Sequence, residues 1–230
     1  MQIETSPALF DVAALGNLRS LLTRHVSLAS ASALVGWLVC VCLLTAATQT
    51  RSLRIGVLAS SPNKIVHGKL WSLLTCGLVV QQPLLISLLC LAALAGLAVV
   101  VCGPRLLWIT AVAGHICSTL IAYAALAVLR ALRPHAFSAL LTRPDYGVSA
   151  ISAAWLGALA ATGWQWRDQT RRGRLPIVLA VAATALFAFM LRHGLTVLDS
   201  DHVFAFAIGV VLAAVRPQTR RAATAHATPA

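Results

Sequence analysis

Three polar clusters interrupt long apolar stretches, and their residue types could do proton-transfer or acyl-transfer chemistry. Arg143-Pro144-Asp145-Tyr146-Gly147-Val148-Ser149-Ala150 opens one apolar stretch, and Asp199-Ser200-Asp201-His202 opens another. Gly114-His115-Ile116-Cys117-Ser118-Thr119 lies in the middle of a third. A serine hydroxyl is a poor nucleophile until a base within hydrogen-bond reach takes its proton, and neutral histidine suits that role near pH 7. Ser149 sits near a helix start, where unpaired backbone N–H groups can stabilise an oxyanion. Asp145 is a candidate cap for the stretch that follows it, and Asp199 or Ser200 for theirs. Each cluster also has a plainer reading. A serine at a helix start commonly caps or packs, a histidine near a polar boundary is commonly solvated, and His115 can bond Ser or Thr on a neighbouring helix.

The elements that position these groups follow from hydropathy. A spanning helix needs about 20 mostly apolar residues. Six stretches approach that length: 31–49, 84–102, 105–129, 146–164, 175–192 and 200–215. The expected fold is therefore an all-α membrane protein, a six-helix bundle over residues 31–216. A cytoplasmic or interfacial segment (1–30) precedes it and a disordered basic tail (217–230) follows. The first segment carries Glu4 and Asp11 and lacks the pattern of a signal peptide. Arg167, Arg171, Arg172, Arg174 and the basic tail favour both termini inside, in a bacterial plasma membrane. Spans 4 and 6 then both run inward from the outer face, which puts Ser149 and His202 at similar depth. Ala150, Ala154, Gly157 and Ala161 on one, with Ala205 and Gly209 on the other, form small-residue stripes that let the two helices touch.

Composition narrows the classes further. Only 10% of the 230 residues are charged and 59% are hydrophobic, with a mean hydropathy of +0.85. That is too little charge to cover a water-soluble globule, where roughly 25% is usual. The net charge of +12 does not point to nucleic acid, because the basic residues are scattered between apolar runs without interleaved aromatics. The six cysteines lie in or beside apolar runs, and Cys40-Val-Cys42 lacks metal or redox spacing. No metal, cofactor or disulfide framework is expected. The expected partners are the lipid bilayer and a transmembrane protein, as substrate or client.

Gly147-Val148-Ser149-Ala150 at the start of span 4, and His202 followed by Ala205 and Gly209 in span 6, resemble the rhomboid family of intramembrane serine proteases, in particular its divergent bacterial branch. Trp71-Ser72-Leu73-Leu74-Thr75 echoes the family's first-loop signature. The resemblance covers the whole membrane region. It implies Ser149 as nucleophile and His202 as general base, a dyad without an acid, with Gly147 and His115 as candidates for oxyanion support. The departures are several. Ala150 replaces the last glycine of G-x-S-G, and Ser72 stands where the family carries Arg. Leu85 and Leu89 fall at its H-x-x-x-N pair, Val99 replaces the glutamate of its E-x-x-x-G motif, and Ala153 stands where a tyrosine often stacks on the histidine. Losing an oxyanion donor costs roughly 10²–10³ in rate.

Two functions therefore stay open at this level. One is a rhomboid-like serine endopeptidase that cleaves transmembrane substrates near the outer face. The other is a catalytically silent relative that binds membrane-protein partners through the same helices.

Overall fold

The computed structural model describes residues 27–80, 83–167, 174–191 and 200–216. The N-terminal segment before residue 27, the tail beyond residue 216 and the Asp199 cap lie outside the described residues. Among those described, the chain is all-helical apart from one antiparallel bridge between Ser60 and Asp145. Six long helices fall on the apolar stretches: α1 (Leu28–Gln49), α2 (Leu84–Cys102), α3 (Pro104–Leu132), α4 (Val148–Trp166), α5 (Arg174–Met190) and α6 (Ser200–Ala214). Of these, α1, α2 and α3 are long and apolar enough to cross a membrane.

The outer surface is apolar. Val35, Val39 and Leu43 on α1, Leu85, Ile86 and Leu89 on α2, and Val178, Val181 and Phe189 on α5 are all exposed. In water such a belt would be a severe aggregation liability, whereas in lipid it costs nothing. The chain is membrane-embedded.

The helix at the centre is α4, because its residues are small. Ala150, Ala153, Ala154, Leu156, Ala158 and Leu159 are almost wholly buried, with α2, α3, α5 and α6 packed around them. The nearest approaches are backbone to backbone. A Cβ added to Gly157 would lie 2.1 Å from the Phe206 carbonyl oxygen, and one added to Gly209 would lie 2.0 Å from that of Ala154. A Cβ on Gly114 of α3 would meet the Ala154 Cβ at 2.3 Å and the Ala205 carbonyl at 3.9 Å. Without hydrophobic drive between helices in lipid, this shape matching holds the bundle together.

Further contacts fix directions and ends. Gln165 Nε2 donates to the Ala213 carbonyl at 3.3 Å, so α4 and α6 meet at 154 and 209 at one level and at 165 and 213 further along. They run the same way. Arg216 donates to the Cys102 carbonyl, a cation at the C-terminal end of α2. The joint between α2 and α3 turns at Gly103, whose φ of 81° favours glycine, and Pro104 then starts α3. The Trp155 indole N–H donates to the Leu107 carbonyl at 3.0 Å, and Trp37 of α1 lies edge-on to it.

Loop 1, the segment that follows α1 (residues 50–80), is ordered. It forms three short helices, Ile55–Leu58, Pro62–Val66 and Trp71–Thr75, then a 3-10 turn, Cys76–Leu78. Ser61 caps the second of these through Lys64 N–H. Thr45 of α1 accepts from Val80 N–H at 3.1 Å, and Thr75 donates to the Leu58 carbonyl at 2.9 Å. The loop is thereby folded back onto the bundle end that carries Ser149.

Candidate functional site

The segment leading into α4 is held by loop 1. Ser60 and Asp145 exchange both backbone hydrogen bonds, at 3.0 and 2.9 Å, and Gly147 N–H donates to the Cys76 carbonyl at 3.0 Å. Asp145 does not cap α4 with its side chain, as the sequence suggests. Gly147 occupies the cap position without a side-chain bond, and the Asp145 carboxylate instead accepts from the Tyr123 hydroxyl of α3 at 3.1 Å. The reason is local: once the Asp145 backbone pairs with Ser60, its side chain is turned toward α3.

Gly147 is required for space. A Cβ there would lie 1.7 Å from His115 Cε1. The His115 ring fills the gap between α3, loop 1 and the start of α4, with Nε2 2.7 Å from the Leu73 carbonyl and 3.4 Å from Cys76 Sγ. Since a carbonyl only accepts, Nε2 carries the proton in that bond. His115 Nδ1 and Thr119 Oγ1, one turn apart on α3, are buried without a hydrogen-bond partner among the described residues. Burial pushes the Cys76 thiol up to about 12, so it stays protonated at neutral pH and is no nucleophile.

Ser149 lies in the first turn of α4, with Oγ donating to the Tyr146 carbonyl at 3.3 Å. It lines a cavity of about 550 Å³. The cavity wall includes Ser87 and Cys90 from α2, Phe189 and Met190 from α5, and Tyr146 and Ser152 beside the serine. His202 is in the first turn of α6, 18% exposed, and its Nδ1 lies 2.7 Å from Asp201 Oδ1. It is not among the cavity-lining residues.

Depth follows from the packing. Ala154 and Ala205 both lie against Gly114. Ser149 is five residues before the first of these and His202 three before the second, on helices running the same way. At 1.5 Å per residue their levels differ by about 3 Å. The structure thus brings Ser149 and His202 to the same end of two touching helices, with His115 packed against Gly147, two residues before the serine.

A carboxylate pair completes the cluster: Asp145, which the sequence suggested only as a cap, and Asp201, to which it assigned no role. Asp201 is 2% exposed. The Asp145 carboxyl is pushed up to about 6, first by burial and next by the nearby charge of Asp201, while Tyr123 and His202 pull it down. The signal available in the sequence was the i, i+1 pairing of Asp201 with His202, together with the tyrosine eight residues after His115 on α3.

No protein-family model, curated protein or solved structure matches this chain.

Proposed function

We propose that the chain is a six-span, rhomboid-like intramembrane serine endopeptidase, with Ser149 as nucleophile and His202 as general base. The observation that carries this reading is the parallel, backbone-to-backbone contact of α4 and α6, which leaves the serine and the histidine about 3 Å apart in depth. In this reading α4, α5 and α6 cross the bilayer along with α1–α3, both termini are cytoplasmic, and the membrane is the plasma membrane of a bacterium.

The chemistry runs as follows. Ser149 Oγ leaves the Tyr146 carbonyl by a side-chain rotation and turns toward α6. His202 takes its proton as Oγ attacks the scissile carbonyl of a substrate segment. The imidazolium then gives that proton to the leaving amine, and water releases the acyl group by the same steps in reverse order. Backbone N–H groups of the first turn of α4, unpaired within the helix, face the developing oxyanion. The cavity between α2 and α5 suits a substrate chain arriving from the side, since a transmembrane segment cannot enter end-on.

The alternative, a silent partner-binding relative, draws on one observation: Ser149 Oγ is bonded to Tyr146 rather than to a base. A cleavage assay separates the two. The purified protein in liposomes with single-span reporter substrates is expected to cut near the headgroup region, and Ser149→Ala to abolish cutting. A folded wild-type protein that cleaves no reporter, or an alanine variant that cleaves equally well, would remove the protease reading.

A further inference from the structure

We infer that Asp201 is a third member of the site, a positioning residue that holds the proton of His202 on Nδ1 and so makes Nε2 the basic nitrogen. This rests on the protease reading and goes beyond the serine–histidine pair on which that reading is built.

Two observations support it. Asp201 Oδ1 lies 2.7 Å from His202 Nδ1. Asp201 is 2% exposed, on the face of α6 that continues through Ala205 and Gly209 into the contact with α4. A buried carboxylate is costly unless a cation or donor faces it. A first-turn acid serving only the helix dipole has no need of burial, since that interaction operates at exposed sites. The contact is bent rather than in line with the ring N–H, because Oδ1 makes no hydrogen bond of full geometry.

The groups around the pair are consistent with this role. Among the described residues, Asp145 is a second carboxyl close enough to feel the charge of Asp201, and the Tyr123 hydroxyl donates to it at 3.1 Å. His115 faces Leu73 and Cys76 of loop 1 through Nε2. Among the described residues, Asp201 is the carboxylate in contact with the His202 ring. A carboxylate at Nδ1 accepts a hydrogen bond from the ring N–H and fixes the tautomer. When Ser149 gives its proton to Nε2, the imidazolium is stabilised by the adjacent anion. No proton crosses to the aspartate.

Asp201→Asn is the informative change, because it keeps size and hydrogen-bonding capacity but allows an N–H to face Nδ1. That favours the opposite tautomer. The first measurement needs no activity: ¹⁵N shifts of the His202 ring at pH 8.5, assigned by difference from His202→Gln. Wild type is expected to show Nδ1–H, and both Asp201→Asn and Asp201→Ala to lose it. Identical tautomers in all three proteins would overturn the inference.

The second measurement is the rate of fluorophosphonate capture at Ser149. Asp201→Asn is expected to lower the maximal capture rate at least 100-fold, with little change in the probe concentration giving half that rate. A packing defect would change both, together with the melting temperature. A wild type that is never captured defeats the protease reading while the tautomer result still judges Asp201. Equal capture by wild type and Asp201→Asn leaves the protease and removes the third member.

Discussion

Gly209→Ala tests the contact on which the site depends. The added methyl would lie 2.0 Å from the Ala154 carbonyl oxygen, 2.9 Å from its carbon and 3.0 Å from the Ala158 nitrogen. All three are backbone atoms, so no side chain can turn aside. A carbon–oxygen contact of this kind settles near 3.3–3.6 Å, so α6 has to move away from α4 by about 1 Å or more. Overpacking of this sort costs about 1–3 kcal/mol. The gain in helix propensity from Gly to Ala, at most about 1 kcal/mol, offsets part of it. A displacement of 1 Å between reacting groups can cost about 10²-fold in rate. The control is Gly96→Ala on α2, where an added methyl meets nothing within 4 Å. Melting in detergent and the rate of fluorophosphonate capture are read together. Gly209→Ala is expected to melt lower and react about 100-fold more slowly, while Gly96→Ala does neither. If the two variants behaved alike, the packing of α4 on α6 would be misassigned.

Two further outcomes follow from groups around the site. Asp145 titrates higher in the fold than the ordinary carboxylate value of 3.8, at about 6. Its contribution is therefore complete below the ordinary value and is lost as pH rises through about 6, a loss of up to about 3 kcal/mol. Asp145→Asn keeps an acceptor for Tyr123 and has no such loss, so its melting advantage over wild type should grow between pH 4.5 and 7.5. A gap that stays constant or shrinks would contradict the burial of that carboxyl. Trp155→Phe removes the indole N–H from the Leu107 carbonyl, which keeps the Thr110 hydroxyl at 3.0 Å. A loss of about 1–2 kcal/mol is expected, and an unchanged melting temperature would show that this bond does not help hold α3 to α4.

The helices were legible because apolar length is the strongest signal a membrane chain carries. The close approach of α4 and α6 was legible too, since Gly157, Ala154, Ala205 and Gly209 recur at helical spacing. Loop 1 was not: its short helices have no period to read, and its anchors, Thr45 to Val80 and Ser60 to Asp145, join distant positions. The need for Gly147 was equally hidden, because the ring that excludes a side chain there belongs to His115, 32 residues earlier. Asp145 looked like a cap because an acid just before a helix usually is one. Only the pairing with Ser60 and the reach of Tyr123 redirect it.

Covalent capture tests the central claim most directly. The purified protein is treated with a fluorophosphonate and the modified residue is located by peptide mass spectrometry, for wild type and for His202→Ala. The expected result is a phosphonate on Ser149 in wild type and none in His202→Ala. Modification of some other residue, or of Ser149 to the same extent without His202, would show that the hydroxyl and the imidazole do not work together.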